Sequence, residues 1–105
     1  MSAPDAFAAL ANPVRRRILE LLRDEPREAG RIASEFELRR PAVSEHLQIL
    51  REVGLVRDEA RGRKRVYPLN ADALRPVEAW LRPFEAYWRG RMAALERTLT
   101  EDESP

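Results

Sequence analysis

The chain has 105 residues, 44% of them hydrophobic and 35% charged, with a net charge of +1 and no cysteine. That is room for one domain with a modest core. The balance excludes a disordered chain, and the missing cysteine excludes disulfides, thiolate metal sites and a cysteine nucleophile. No apolar run approaches the roughly 18 residues a membrane span needs, and no basic stretch leads into an apolar segment at the N-terminus, so a cytoplasmic protein is expected. Charge is unevenly spread: residues 1–68 carry 14 basic and 11 acidic side chains, residues 69–105 carry 5 and 7.

In chain order, residues 4–11 read as a short helix starting at Pro4, with Phe7, Leu10 and Ala11 on its apolar side. Asn12-Pro13 ends it and opens a second helix to about Asp24, because Asn caps well and Pro is tolerated at the first helical position. Val14, Ile18, Leu21 and Leu22 form its apolar face. Arg15, Arg16 and Arg17 lie early in that helix, where positive charge opposes the helix dipole; either a nearby phosphate or acid, or a solvated turn with partner glutamates, accounts for them. A third helix runs from Ala29 to Phe36 with Ile32, Ala33 and Phe36 inward, and Glu37 to Arg40 form a turn plugged by Leu38.

The fourth helix spans Pro41 to Val53, with Gly54 suited to its C-terminal cap. Val43, Leu47 and Leu50 recur at i, i+4 and i+7 and point inward, whereas Pro41, Ala42, Ser44, Glu45 and Gln48 fall on the outer face. Small and hydrogen-bonding residues there suit a helix that enters a groove about 12 Å wide; Gln48 can pair with adenine and Glu45 can accept from cytosine. His46, at the edge of the apolar face, reads as a packed structural histidine. Ser44, Glu45 and His46 form no triad, since neighbours on a helix point about 100° apart, and no glycine-rich phosphate loop is present, so no enzyme is expected.

Residues 55–59 and 64–69 are strand-like and flank Gly62, giving a hairpin tipped by Arg61, Arg63, Lys64 and Arg65. Phosphate contacts at such a tip strengthen binding without specifying sequence. Pro68 suits an edge strand. Asn70 caps a final helical region, a turn at 71–75 followed by a long helix over 76–99 with a bend near Pro83; residues 100–105 fray. Val77, Leu81, Phe84, Trp88, Met92, Leu95 and Leu99 make one stripe, with Trp80 and Tyr87 beside it. The stripe either covers the body of the domain or pairs with the same helix of a second copy; its aromatic content favours a dimer interface of Phe7, Leu10, Val77, Leu81, Phe84, Trp88 and Leu95.

The fold expected is mainly α with a small β-hairpin, a single winged helix-turn-helix domain over 1–105. Residues 12–69 form the DNA-binding helices and wing, and 4–11 and 71–99 the dimerisation helices. Contacts to double-stranded DNA are expected from Arg39, Arg40, Pro41, Ala42, Ser44, Glu45, Gln48, Arg61, Arg63, Lys64 and Arg65. An alternative with the same fold is a protein-interaction module, but four basic residues in the wing serve DNA better than protein.

The segments Ala9-Leu10-Ala11-Asn12-Pro13-Val14-Arg15-Arg16-Arg17-Ile18-Leu19-Glu20-Leu21-Leu22, Pro41 to Val56 and Gly62 to Asn70, in that order and spacing, resemble the ArsR-type family of bacterial winged-helix repressors. The resemblance covers nearly the whole chain. It implies a homodimer joined through its first and last helices, recognition helices in successive major grooves of a palindromic operator, and repression relieved by an effector. Many members of that family sense metals, and here the sequence departs. Ile32 to Glu37 contains no cysteine, the last helix has no histidine, and Asp72, Glu78, Glu85 and Glu96 are scattered carboxylates. The resemblance therefore implies a metal-independent relative without cofactor, with aromatics of the last helix in place of ligands. Trp80, Phe84, Tyr87 and Trp88 could instead line an effector pocket, although dimer packing accounts for them more simply.

Overall fold

The computed structural model describes residues 5–102, with the side chains of residues 5–100. It contains α1 (Ala6–Leu10), α2 (Pro13–Asp24), α3 (Ala29–Ser34), α4 (Arg40–Glu52), β1 (Glu59–Arg61), β2 (Lys64–Val66), a 3₁₀ turn (Ala71–Leu74) and α5 (Arg75–Asp102). The chain divides into two compact units, residues 1–75 and 76–105.

In the first unit each helix starts and stops for a local reason. Asp5 caps α1 by accepting from the Ala8 amide at 2.9 Å; Pro4, the expected start, lies outside the described residues. Asn12 caps α2 through Val14 N at 2.8 Å and Arg15 N at 3.1 Å, a pair of bonds worth about 1 kcal/mol. At the end of α4, Gly54 takes φ +81°, which places Leu55 N 2.9 Å from Leu50 O and Gly54 N 3.0 Å from Arg51 O. This is a Schellman motif, and its two apolar members, Leu50 and Leu55, are both fully buried.

The core of this unit consists of Ala6, Ala9, Ile18, Leu19, Leu21, Leu22, Ile32, Val43, Leu47, Leu50, Leu55 and Val56. α3 packs on α4, α2 on α4, and α1 on α2. Two details differ from expectation. The buried side of α1 is Ala6 and Ala9, not Phe7, Leu10 and Ala11: Phe7 is 43% exposed, Leu10 is half-buried and Ala11 is exposed. A five-residue helix against α2 leaves no depth for larger side chains, so alanines make the contact. Leu38 is only half-buried, because α3 ends early, at Ser34, and the turn after it stays near the surface.

β1 and β2 pair antiparallel with Glu59 opposite Val66, Ala60 opposite Arg65 and Arg61 opposite Lys64, leaving Gly62-Arg63 as a two-residue turn. Gly62 has φ +63° and Arg63 does not share that region, the pattern of a II′ turn with glycine at its first central position. The strand-like reach of 55–59 and 64–69 persists beyond the regular strands as a bridge between Val56 and Leu69 and an Arg57 N bond to Pro68 O at 3.0 Å. Sequence reading missed a further bridge, in which Tyr67 N donates to Arg27 O at 2.9 Å and brings the segment before α3 alongside the hairpin. Asn70 does not cap the following turn with its side chain. Its amide Nδ2 donates to Gly54 O at 2.8 Å and its backbone N to Leu55 O at 2.8 Å, which ties the end of the hairpin to the end of α4.

The second unit is the long helix from Pro76 onward. α5 continues through Pro83 and past the expected end at residue 99 to Asp102; residues 103–105 lie outside the described residues. Among the described residues no α5 side chain is buried. Trp80, Phe84, Tyr87, Trp88, Met92, Leu95 and Leu99 are all large, apolar and exposed, whereas Val77 and Leu81 are half-buried. Trp80 and Phe84 have ring centroids 4.8 Å apart, Phe84 and Trp88 6.4 Å, and the Arg91 guanidinium lies 5.7 Å from the centre of the Tyr87 ring.

Candidate nucleic-acid interface

α4 is a two-sided helix. Val43, Leu47 and Leu50 are buried, while Pro41, Ser44, Glu45 and Gln48 are exposed and Ala42 is half-buried. Gln48 Nε2 donates to Glu52 Oε1 at 3.3 Å, which holds the amide along the outer face. Arg39 and Arg40 stand exposed at the N-terminal end, where Arg39 is the cap residue but makes no side-chain cap bond. Among the described residues neither has an ion-pair partner. Two cations at the positive end of a helix dipole do not stabilise it, so the arrangement is suited to an anion from outside.

The wing adds to the same surface. Arg40, Arg63, Lys64 and Arg65 line a cleft of about 440 Å³ with Glu28 and Tyr67, between the start of α3, the start of α4 and β2. Arg63 and Lys64 are exposed and, among the described residues, unpaired. The other two wing arginines are engaged: Arg61 with Glu59 at 3.3 Å, and Arg65 with Asp58 at 2.8 Å. Asp58 is approached by a second cation, Arg51 Nη1 at 3.6 Å.

Arg17 follows the expectation of a solvated turn with a partner glutamate, whereas Arg15 and Arg16 have a structural account that neither expectation contained. Arg15 Nε donates to Ala9 O at 2.9 Å and Nη2 to Ala8 O at 3.2 Å, and Arg16 Nη1 donates to Leu10 O at 2.7 Å. The two guanidiniums thus donate to carbonyls at the C-terminal end of α1, where positive charge is favourable. Arg17 pairs with Glu20 at 3.2 Å.

Arg15 Nη1 also lies 3.4 Å from His46 Nδ1. A guanidinium can only donate, so Nδ1 accepts and the imidazole is neutral. Burial first, and the Arg15 charge second, hold His46 below its ordinary value of 6.5, against a smaller pull upward from Glu45. As pH falls, the unfolded chain therefore binds this proton before the folded one does. The contribution of this group to stability is fully present above about pH 7.5 and declines as pH drops through 6.5 toward the lowered folded value. Since the chain has one histidine, urea unfolding between about pH 5.5 and 7.5 should show this decline in the parent and lose it in His46→Gln.

A family model described as a helix-turn-helix domain matches residues 10–59. The transcriptional repressor SdpR of Bacillus subtilis is 35% identical over 80 residues, 76% of this chain and 89% of the relative. The HTH-type transcriptional regulator Rv2034 of Mycobacterium tuberculosis is 37% identical over 91 residues, 81% and 85% of the two chains. A solved ArsR family transcriptional regulator superposes with a TM-score of 0.68 at 31% identity, covering 79% of this chain and 91% of its own. The chain belongs to the ArsR family of winged helix-turn-helix regulators.

Membership makes it a DNA-binding transcriptional regulator and not an enzyme. The β1–β2 hairpin is the wing of that fold. No helix among the described residues is long and apolar enough to cross a membrane. The expected contact residues of α4 and the wing lie within one unit, with Arg40, Arg63, Lys64 and Arg65 around one cleft. Sequence reading did not single out Asp58 or Arg51. Asp58 is a diagonal neighbour of Arg65 once the turn is known to be Gly62-Arg63, so the register was the missing signal.

Proposed function

We propose that this regulator acts as a homodimeric, metal-independent repressor that binds a palindromic operator near its own gene. The observation that carries the reading is the set of cations Arg39, Arg40, Arg63 and Lys64, without an ion-pair partner among the described residues, flanking the exposed polar face of α4. In this reading Ser44, Glu45 and Gln48 address base edges, Pro41 and Ala42 allow close approach to the groove, and Arg39, Arg40, Arg61, Arg63 and Lys64 contact phosphates. The apolar stripe of α5, Val77, Leu81, Phe84, Trp88 and Leu95, exceeds what a monomer leaves in water, which supports a second copy as its cover. Phe7 and Leu10 of α1 supply a further apolar surface for the partner. Repression is the activity in the name of the SdpR relative. Metal independence is supported by the residue types of the sequence, which has no cysteine and a single histidine.

The test is a titration of the gene's upstream fragment against a scrambled duplex at several salt concentrations. The parent should prefer the upstream fragment, with log K falling by about 0.9 per neutralised phosphate for each log unit of salt. Arg63→Ala/Lys64→Ala should flatten that slope by roughly 2 per protomer and keep most of the preference. Equal binding to both fragments would exclude a local operator, and an unchanged slope in the double variant would remove the wing from the interface.

A further inference from the structure

Between the recognition helix and the wing sits an acid that a DNA-binding surface has no electrostatic use for. Asp58 precedes β1 and its side chain is only 15% exposed. One carboxylate oxygen, Oδ1, accepts from Arg65 Nη1 of β2 at 2.8 Å; the other, Oδ2, faces Arg51 Nη1 in the last turn of α4 at 3.6 Å. We propose that Asp58 is a positioning residue, joining wing to recognition helix through these two arginines and so setting the regulator's preference for its operator. The proposal rests on the operator-binding reading above.

The physical reason lies in the difference between the two modes of binding. Non-specific binding needs only cations near phosphates, in any arrangement. Operator binding needs the α4 face at the base edges while the wing is on the backbone, so the angle between wing and helix must be held. The hairpin root is already tied by Asn70 to Gly54 and Leu55 and by Arg57 to Pro68, but those bonds act on the backbone at the base of the wing. Asp58 acts further out, on a β2 side chain. By engaging Arg65 it also withholds that guanidinium from phosphate, leaving the wing's phosphate contacts to Arg61, Arg63 and Lys64.

Asp58→Asn makes the sign of the effect decisive, because it removes a negative charge and releases two cations. We expect binding to scrambled duplex to tighten and its salt slope to steepen by up to about 2 per protomer, while preference for the operator fragment falls roughly tenfold. Asp58→Glu, which keeps the charge, should restore part of the preference. Arg65→Ala should lower preference with no change of slope, whereas Lys64→Ala should flatten the slope by about 1 per protomer. Tighter operator binding with full preference in Asp58→Asn, or a flattened slope in Arg65→Ala, would overturn the proposal. Hydrogen exchange on the free protein tests the link without DNA: in Asp58→Asn the β1 and β2 amides should exchange faster while those of α4 keep their rate, and unchanged wing exchange would overturn it. If the parent itself prefers no fragment, the operator reading fails, and the link is then decided by exchange alone.

Discussion

A Trp88→Glu variant should sediment as a monomer and bind the operator about 10²- to 10⁴-fold more weakly than the parent, the loss that follows when two linked half-site contacts become independent. Trp88 is 51% exposed, sits beside Phe84, and lies mid-way along the α5 stripe, where a large aromatic contributes most to an interface between copies. In the proposed dimer, replacing it with a carboxylate buries an unpaired charge, at a cost of several kcal/mol that the remaining apolar contacts do not offset. The residual binding should be that of one half-site, with a salt slope about half the parent's. Since no described α5 side chain is buried, the melting transition of residues 5–75 should persist, which separates lost assembly from lost folding. Trp88→Phe, which keeps an aromatic ring, should remain dimeric. A Trp88→Glu protein that still sediments as a dimer would move the interface off this stripe.

The second large effect is on folding itself. Leu50→Ala should lower the unfolding free energy by about 2–5 kcal/mol, read as a lower urea midpoint at unchanged slope. Leu50 is 0% exposed and occupies the position of the Schellman motif whose side chain meets that of Leu55, also fully buried. Its carbonyl accepts from Leu55 N and Val56 N, and those backbone bonds remain in the variant, so the loss measures packing and the cavity left behind. Domains of this size have about 5–15 kcal/mol in total, so the change takes a large share of it. The same helix presents Ser44, Glu45 and Gln48 to the outside, so operator affinity should fall with the folded fraction and recover as DNA is raised, because only the folded form binds. A cost below about 1 kcal/mol would mean that the α4–hairpin junction is not packed as described.

Much of this architecture was legible in the linear chain because its determinants are local. Asn12-Pro13 starts α2, Gly54 ends α4, Gly62 turns the hairpin, and Val43, Leu47 and Leu50 repeat at helical spacing; each acts on backbone or on neighbours within a turn, so residue order alone reveals it. The α4 outer face was readable for the same reason. The helix lengths were less so: α3 stops at Ser34 and α5 extends to Asp102, since ends depend on what packs and what is solvated nearby.

What the chain by itself determined is therefore the order of elements, the two-sided character of α4, the basic wing and the apolar stripe of α5. Which charges are available was decided only in three dimensions. Arg15 and Arg16 lie early in α2 but donate to carbonyls of α1, and Arg65 of the basic wing pairs with Asp58. Asn70 looks like a helix cap and instead fastens the hairpin to α4. Long polar side chains find partners six, seven or sixteen residues away through the register of a hairpin or the crossing of two helices, and no periodicity along the chain encodes those distances.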